Sequence, residues 1–328
     1  MIYRFKYPSQ ISIEITNKCN FNCSHCINNS SFNENTEMPF FKIKEIINYM
    51  SDRGIVCLDI SGGEPLLHKN FNDIISYAYK KNMNISVASN GYLLNDKILK
   101  LFKDNDVSLR ISYDGYNEKT YSIIRGKNKY KIVEENIKKA INYGLRVSLV
   151  TVLHKDNYDY LNKIIQKSRE LKVEKLRLMP FVKIGRGKEN NLQMLSISQW
   201  KYLIEFHKKM GEKAGIEIAI DSPLMAITDK YDCPCLVGKL CLVIKSNGDA
   251  IPCALLNKVV GNIYNETIEN IWSNKFFDEI NDVSNLKEEC KTCKYKEKCS
   301  GGCRGMAYTM KGDYLCKDPY CWLKSQNK

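Results

Sequence analysis

The chain has 328 residues, 44% of them hydrophobic, with 14 cysteines and a formal net charge of +13, enough length and apolar content for one large domain plus a smaller one. No run reaches the roughly 20 apolar residues of a membrane span, and the start Met1-Ile-Tyr-Arg-Phe-Lys6 lacks a signal-peptide apolar stretch, so a soluble, cytoplasmic protein is expected. So many cysteines in that compartment argue for metal or redox chemistry and against disulfides.

The first predicted strand is the β-branched run Ile11–Thr16. It leads directly into Cys19-Asn-Phe-Asn-Cys23-Ser-His-Cys26, a CxxxCxxC spacing. Three thiolates on one short loop can hold three irons of a [4Fe–4S] cube and leave the fourth iron open to a substrate or cofactor, whereas a fully ligated cluster mostly carries electrons. A zinc knuckle or scattered free thiols is the alternative reading of these residues taken alone. Downstream, strands are predicted at Val56–Ser61, Ile85–Ser89, Val107–Tyr113, Arg146–Leu153 and Lys175–Met179. Between them lie helical patterns: Ile43, Ile46, Ile47 and Met50 share one face, as do Phe71, Ile74, Ile75 and Ala78, and Ile132, Ile137 and Ile141. Strands that each lead into a helix imply α/β architecture with a parallel sheet. Six units are too few for an eight-stranded barrel, and in parallel β/α barrels the chemistry sits at the C-terminal ends of the strands. There the chain carries Ser61-Gly62-Gly63-Glu64-Pro65, Ser89-Asn90-Gly91, and Ser112-Tyr-Asp114-Gly115 with Arg125 shortly after.

The CxxxCxxC motif, its position after the first strand and the Gly-Gly-Glu one unit later resemble the radical SAM (S-adenosylmethionine) superfamily. The resemblance implies a partial (β/α)6 barrel in which the open iron chelates SAM, and an electron from the cluster cleaves SAM to a 5′-deoxyadenosyl radical that abstracts hydrogen from substrate. It makes Cys19, Cys23 and Cys26 the ligands of the SAM-cleaving cluster. Gly62, Gly63 and Glu64 match the motif that meets the SAM amino group, Ser112 and Arg125 match residues that bind its amino and carboxylate groups, and Asn90 is a further candidate contact. His25 stands where the family usually carries an aromatic residue and is expected to pack near the adenine. Asp114 reads as a turn cap. Arg177 and Met179 are candidates for the same cavity, with barrel-interior packing as the plain alternative. Pro180–Asn191 reads as the exit from the barrel. A helix at about Ser198–Lys213 follows, with His207 as a half-buried helix residue.

The remaining cysteines concentrate after residue 232. Their core is Cys290-x2-Cys293-x5-Cys299-x3-Cys303, preceded by Cys235, Cys241 and Cys253 and followed by Cys316 and Cys321. Taken alone, the string also fits zinc-ribbon sites. It resembles the SPASM extension of radical SAM enzymes, whose members hold two auxiliary [4Fe–4S] clusters, for three clusters per chain. The family's ligand order implies Cys235, Cys241, Cys253 and Cys303 for the first auxiliary cluster. For the second it implies Cys290, Cys293, Cys299 and Cys321, with Cys316 as an alternative to Cys321. The expected organisation is a barrel at 1–190, a linking helix and connector at 191–232, and the auxiliary-cluster domain at 233–328. Cys57, in a predicted strand, is expected to be a buried, inert thiol. Cys233 is expected to be a free thiol, with the resemblance to the superfamily's peptide epimerases implying hydrogen-atom donation to a product radical as its role.

The resemblance implies an oxidoreductase that modifies a ribosomally made peptide or protein by crosslinking, oxidation or epimerisation, fed by a flavodoxin- or ferredoxin-type electron donor. Ala254 stands where sulfatase maturases carry an aspartate after the ligand equivalent to Cys253, which argues against that activity. Only about ten residues precede the first strand, so a separate leader-peptide-binding protein is a further expected partner. The alternative is small-molecule chemistry: relatives in alternative haem synthesis remodel tetrapyrrole side chains and have a segment similar to Gly185-Arg-Gly187. The positive charge by itself fits nucleic acid. However, lysines such as Lys97, Lys100 and Lys103 spread along a predicted helix face, so a zinc-bearing nucleic-acid-binding protein is the remote reading.

Overall fold

The structure, a computed structural model, describes residues 5–228 and 235–323; Cys233 lies outside them. Along the first part, strands and helices alternate. They are β1 (Gln10–Thr16), α1 (Phe40–Asp52), β2 (Cys57–Gly62), α2 (Phe71–Lys80), β3 (Asn84–Ser89), α3 (Asp96–Asp104) and β4 (Ser108–Ser112). Then come α4 (Glu118–Arg125), α5 (Tyr130–Asn142), β5 (Val147–Leu153), α6 (Lys155–Tyr158), α7 (Leu161–Glu170), β6 (Lys175–Pro180) and α8 (Ile197–Ala214). All six expected strands form, each within one residue or two of its expected bounds.

The strand pattern sets what faces what. On β1, Ile11, Ile13 and Ile15 are fully buried and point to the helix layer, while the alternate positions Ser12 and Glu14 face the barrel lumen. Each helix covers its strands with one aliphatic stripe: Ile43, Ile46, Ile47 and Met50 on α1, and Phe71, Ile74, Ile75 and Ala78 on α2. Fully burying an aliphatic or aromatic side chain of this size contributes roughly 1.5–3 kcal/mol. The long helix α8 is bounded by a capping box between Ser196 and Gln199 and by Gly215, whose left-handed φ of 67° ends it.

The sheet is wider than the sequence pattern implies. A seventh strand, β7 (Glu217–Ile220), pairs parallel to β6. On the other side β8 (Cys241–Ile244) pairs parallel to β1, and β9 (Asp249–Ile251) and β10 (Gly261–Asn262) continue antiparallel. The order is β10-β9-β8-β1-β2-β3-β4-β5-β6-β7 in one ten-stranded sheet. The cysteine-rich part therefore shares the barrel's sheet. Beyond β10 it is made of short elements: α9 (Ile268–Trp272), α10 (Lys275–Asn281), α11 (Lys296–Cys299) and α12 (Arg304–Lys311).

Cys57 corrects an expectation: it is exposed, not buried. It is the first residue of β2, in the lumen-facing phase at the strand's open end, and Leu58 and Ile60 take the buried helix-facing positions.

Candidate active site

The loop between β1 and α1 carries Cys19, Cys23 and Cys26 over the C-terminal ends of the strands. Its course is fixed by backbone bonds, from Cys19 N–H to Ser31 O (2.9 Å) and from Ser24 N–H to Ile124 O (3.0 Å). The three cysteines line one cavity of about 340 Å3. Ser61, Gly62 and Gly63 from the end of β2, Asn90 after β3 and Ser112 on β4 share its wall. Gly62 and Gly63 have no room for a side chain: a Cβ would come within 2.2 Å of Thr16 O and 2.3 Å of Lys18 O respectively. That contact lets the end of β2 lie directly against the start of the cluster loop.

Glu64 is placed differently from its neighbours. Its carboxylate is fully buried and accepts from Ser89 Oγ (2.8 Å), Asn90 N–H (2.8 Å) and Leu66 N–H (3.3 Å). It holds the turn after β3, and Asn90, so held, donates through Nδ2 to Asn20 Oδ1 (2.7 Å) in the cluster loop. Burial pushes the Glu64 carboxyl up to about 7.

Two of the three cluster-loop thiols are buried and the third half-buried, and none is in a disulfide. Burial pushes Cys19 up to about 12 and also raises Cys23. Such thiols give up their protons to a metal rather than to water, because ligation deprotonates them. Donors already point at the sulfurs: Phe21 N–H to Cys19 Sγ (3.4 Å) and Arg125 Nη1 to Cys23 Sγ (3.6 Å). This donor set fits a [4Fe–4S] core with one open iron.

Arg125, the last residue of α4, also donates through Nε to Asp114 Oδ2 at 2.5 Å. Burial opposes charge on both, yet each is the other's strongest favourable charge, so Asp114 lies below the usual carboxylate range and Arg125 above its own. Asp114, expected as a turn cap, is thus the buried counter-ion of Arg125. His25 lies on the cavity wall with Nδ1 buried and unpartnered. Burial first, then the nearby Arg125, lowers it to about 3, so its ring is neutral. Met179 lines the cavity, whereas Arg177 does not and binds Asp221 through Nη2 at 2.7 Å. His207 is buried on α8, its Nδ1 2.9 Å from Ile204 O.

The cavity wall also includes residues whose place in it the sequence does not announce. Glu14 on β1 is 7% exposed and accepts from Asn28 Nδ2 at 2.9 Å. Burial raises its carboxyl, with Asn28 and Lys245 pulling the other way. Its lumen-facing phase within Ile11–Thr16 was the available signal. Arg186, in the noticed Gly-Arg-Gly segment, donates to Cys23 O (2.9 Å) and Ser30 O (2.7 Å). Phe181 and Val182 after β6 add an apolar side, and Ala254 and Leu255 close the cavity from the cysteine-rich part.

In that part the thiols fall into two neighbourhoods. Cys253 feels the charges of Cys235 and Cys241, and Cys303 those of Cys235 and Cys253. Cys290 feels Cys321 and Cys293, Cys299 feels Cys321 and Cys290, and Cys321 feels Cys293. Cys316 sits instead among Asp313, Glu288, Lys311 and Lys287. Among the described residues no three His, Cys, Asp or Glu side chains converge on a single-ion site, so these are groups of neighbours. One buried carboxylate links the two: Asp318 accepts from Cys303 N–H (2.7 Å) and Tyr320 N–H (2.8 Å).

A parallel barrel with a three-cysteine loop at its strand ends, joined to a second cysteine-rich region, has the donor sets of an iron–sulfur enzyme. The chain belongs to the radical SAM superfamily, whose model matches residues 13–167, and an iron-sulfur cluster-binding domain, SPASM, matches residues 233–294. It is a radical SAM enzyme of the SPASM type, using SAM and iron–sulfur clusters. The chain is 28% identical to the AdoMet-dependent heme synthase of Methanosarcina barkeri, over the full length of both. It is 26% identical to the subtilosin biosynthesis protein AlbA of Bacillus subtilis, over 98% of this chain and 72% of AlbA. The crystal structure of Streptococcus suis SuiB bound to precursor peptide SuiA shares the fold with a TM-score of 0.83 at 16% identity, covering 98% of this chain and 77% of SuiB. Among the described residues no helix is long and apolar enough to cross a membrane.

Proposed function

We propose that the enzyme oxidatively modifies a ribosomally made peptide or protein, with three [4Fe–4S] clusters. The SAM-cleaving cluster is held by Cys19, Cys23 and Cys26. The first auxiliary cluster is held by Cys235, Cys241, Cys253 and Cys303, and the second by Cys290, Cys293, Cys299 and Cys321. When bound, the SAM-cleaving cluster and SAM supply a 5′-deoxyadenosyl radical that abstracts hydrogen from substrate. Gly62, Gly63, Asn90 and Ser112 present the polar wall for SAM, with His25 beside the adenine and Glu64 bracing Asn90 from behind. Glu14 accepts the proton that leaves the oxidised substrate; its bond from Asn28 fixes one carboxylate oxygen. Phe181, Val182 and Leu255 exclude water around the reacting side chain. Ala254, next to the proposed ligand Cys253, lies on the cavity wall, so a first auxiliary cluster held by Cys253 would supply the acceptor for the electron that leaves the oxidised substrate. A flavodoxin- or ferredoxin-type protein supplies the reducing electron.

The observation that carries the peptide reading is the charge of the cavity wall. Its two arginines are already engaged, Arg125 by Asp114 and Arg186 by cluster-loop carbonyls, and its carboxylate is Glu14. A tetrapyrrole with several carboxylates needs cations to receive them; a peptide side chain does not. The 28% full-length similarity to a heme synthase favours tetrapyrrole remodelling as the second reading. The test offers reconstituted enzyme, SAM and dithionite either a panel of short ribosomally made peptides or an iron porphyrin bearing propionates. The expected result is a peptide lighter by two hydrogens, with matching 5′-deoxyadenosine. An altered porphyrin and an unchanged peptide would establish the second reading instead.

A further inference from the structure

Arg125 is a fully formed cation fixed under the cluster loop before any cofactor arrives. Its residue is 9% exposed and that of Asp114 is 0% exposed. Asp114 is itself held at both oxygens: Oδ2 accepts from Arg125 Nε at 2.5 Å, and Oδ1 accepts from the backbone N–H of Val152 at 2.7 Å. Val152 belongs to β5 and Asp114 follows β4, so the carboxylate is anchored across two neighbouring strands. The guanidinium has little freedom, and its Nη1 is directed at Cys23 Sγ, 3.6 Å away. A surface arginine recruited only to meet SAM would need neither a buried counter-ion nor a bond to a cysteine sulfur.

Hydrogen bonds and positive charge at a ligand sulfur stabilise the reduced cluster, which carries one more negative charge than the oxidised one. The effect is large where water is excluded. We propose that Arg125, anchored by Asp114, raises the reduction potential of the SAM-cleaving cluster by donating to the Cys23 sulfur. The electron comes from an external one-electron reductant, and no bond is made or broken at Arg125. The inference rests on Cys19, Cys23 and Cys26 holding that cluster, and it is independent of the substrate.

The test is EPR-monitored potentiometry of the anaerobically reconstituted full chain, without SAM and without substrate. The signal of the SAM-cleaving cluster is identified as the one missing from a variant with all three cysteines changed to alanine; were no signal missing, the ligand assignment itself would fail, separately from this proposal. Arg125→Gln is expected to shift that midpoint to more negative potential, its reduction equilibrium weakened about tenfold, the size of one charge-assisted hydrogen bond. Arg125→Lys is expected to fall between it and the wild type. Arg177→Gln, which loses only a half-exposed pair with Asp221, is expected to leave the midpoint in place. If Arg125→Gln holds no iron, Arg125→Lys decides the matter. An unmoved midpoint in the variant that carries the cluster, whatever happens to SAM affinity, would overturn the proposal and leave Arg125 with SAM binding alone.

Discussion

Cys321→Ala is expected to strip about four irons from the reconstituted chain, one cubane's worth, while Cys316→Ala leaves the iron content unchanged. The family's ligand order favours Cys321 as the last ligand and leaves Cys316 as the alternative. The fold separates them. Cys321 lies near enough to Cys290, Cys299 and Cys293 for their charges to act on one another, which places it with the three other proposed ligands. Cys316 is surrounded by charged side chains, Asp313, Glu288, Lys311 and Lys287. The turn that delivers Cys321 is held by Asp318, which accepts from Tyr320 N–H and Cys303 N–H, and by Cys321 N–H donating to Asp318 O at 2.9 Å. Losing Cys321 should therefore also loosen the neighbouring site at Cys303, because cluster binding is part of the folding free energy of a region built from short helices. Iron analysis of the two variants beside the wild type decides it. Equal iron loss in both, or loss only in Cys316→Ala, would reverse the assignment.

Gly185→Ala is the second large effect: it is expected to remove the SAM-cleaving cluster and abolish 5′-deoxyadenosine formation. The residue sits at φ 55°, in the left-handed region, and an added Cβ would meet Cys26 O at 2.3 Å and Ile27 O at 2.6 Å. Those atoms are backbone and cannot swing aside, so the cluster loop itself would have to move. The next residue closes the same contact: the Arg186 N–H donates to Cys26 O at 3.0 Å, and its side chain donates to Cys23 O and Ser30 O. Gly215→Ala is the control. It has a similar φ of 67° but open space around it, so it should lower stability by about 1 kcal/mol and keep all its iron. Gly185→Ala with full iron and normal SAM cleavage would show that the loop holds its cluster without this clamp.

Much of the barrel was legible because its signals are local. Strands β1 to β6 announce themselves by β-branched runs and the helices by their aliphatic stripes, so six βα units can be counted. The extra strands cannot be read the same way. β7 is four residues long, and the partner of β8 is β1, some 230 residues earlier, so only folding reveals that the cysteine-rich part continues the barrel's sheet. Phase explains two further misses. Cys57 opens β2 in the lumen-facing phase and is exposed, though its strand is buried as a whole. Glu14 lies in the same phase of β1 and reaches the cavity, yet between isoleucines it reads as an ordinary polar alternation. At the site, the cysteine spacings and the glycine pair carried the assignment. The roles of Glu64 and Asp114 did not show, because each acts by holding another residue: Glu64 the Ser89–Asn90 turn, Asp114 the Arg125 guanidinium.

The measurement that tests the central claim most directly is metal content together with 5′-deoxyadenosine formation, after anaerobic reconstitution and addition of dithionite and SAM. The wild type and a Cys19→Ala, Cys23→Ala, Cys26→Ala variant are compared. The account predicts about twelve irons and SAM cleavage in the wild type, and about eight irons with no cleavage in the variant. Zinc in place of iron, or 5′-deoxyadenosine formed by the variant, would contradict it.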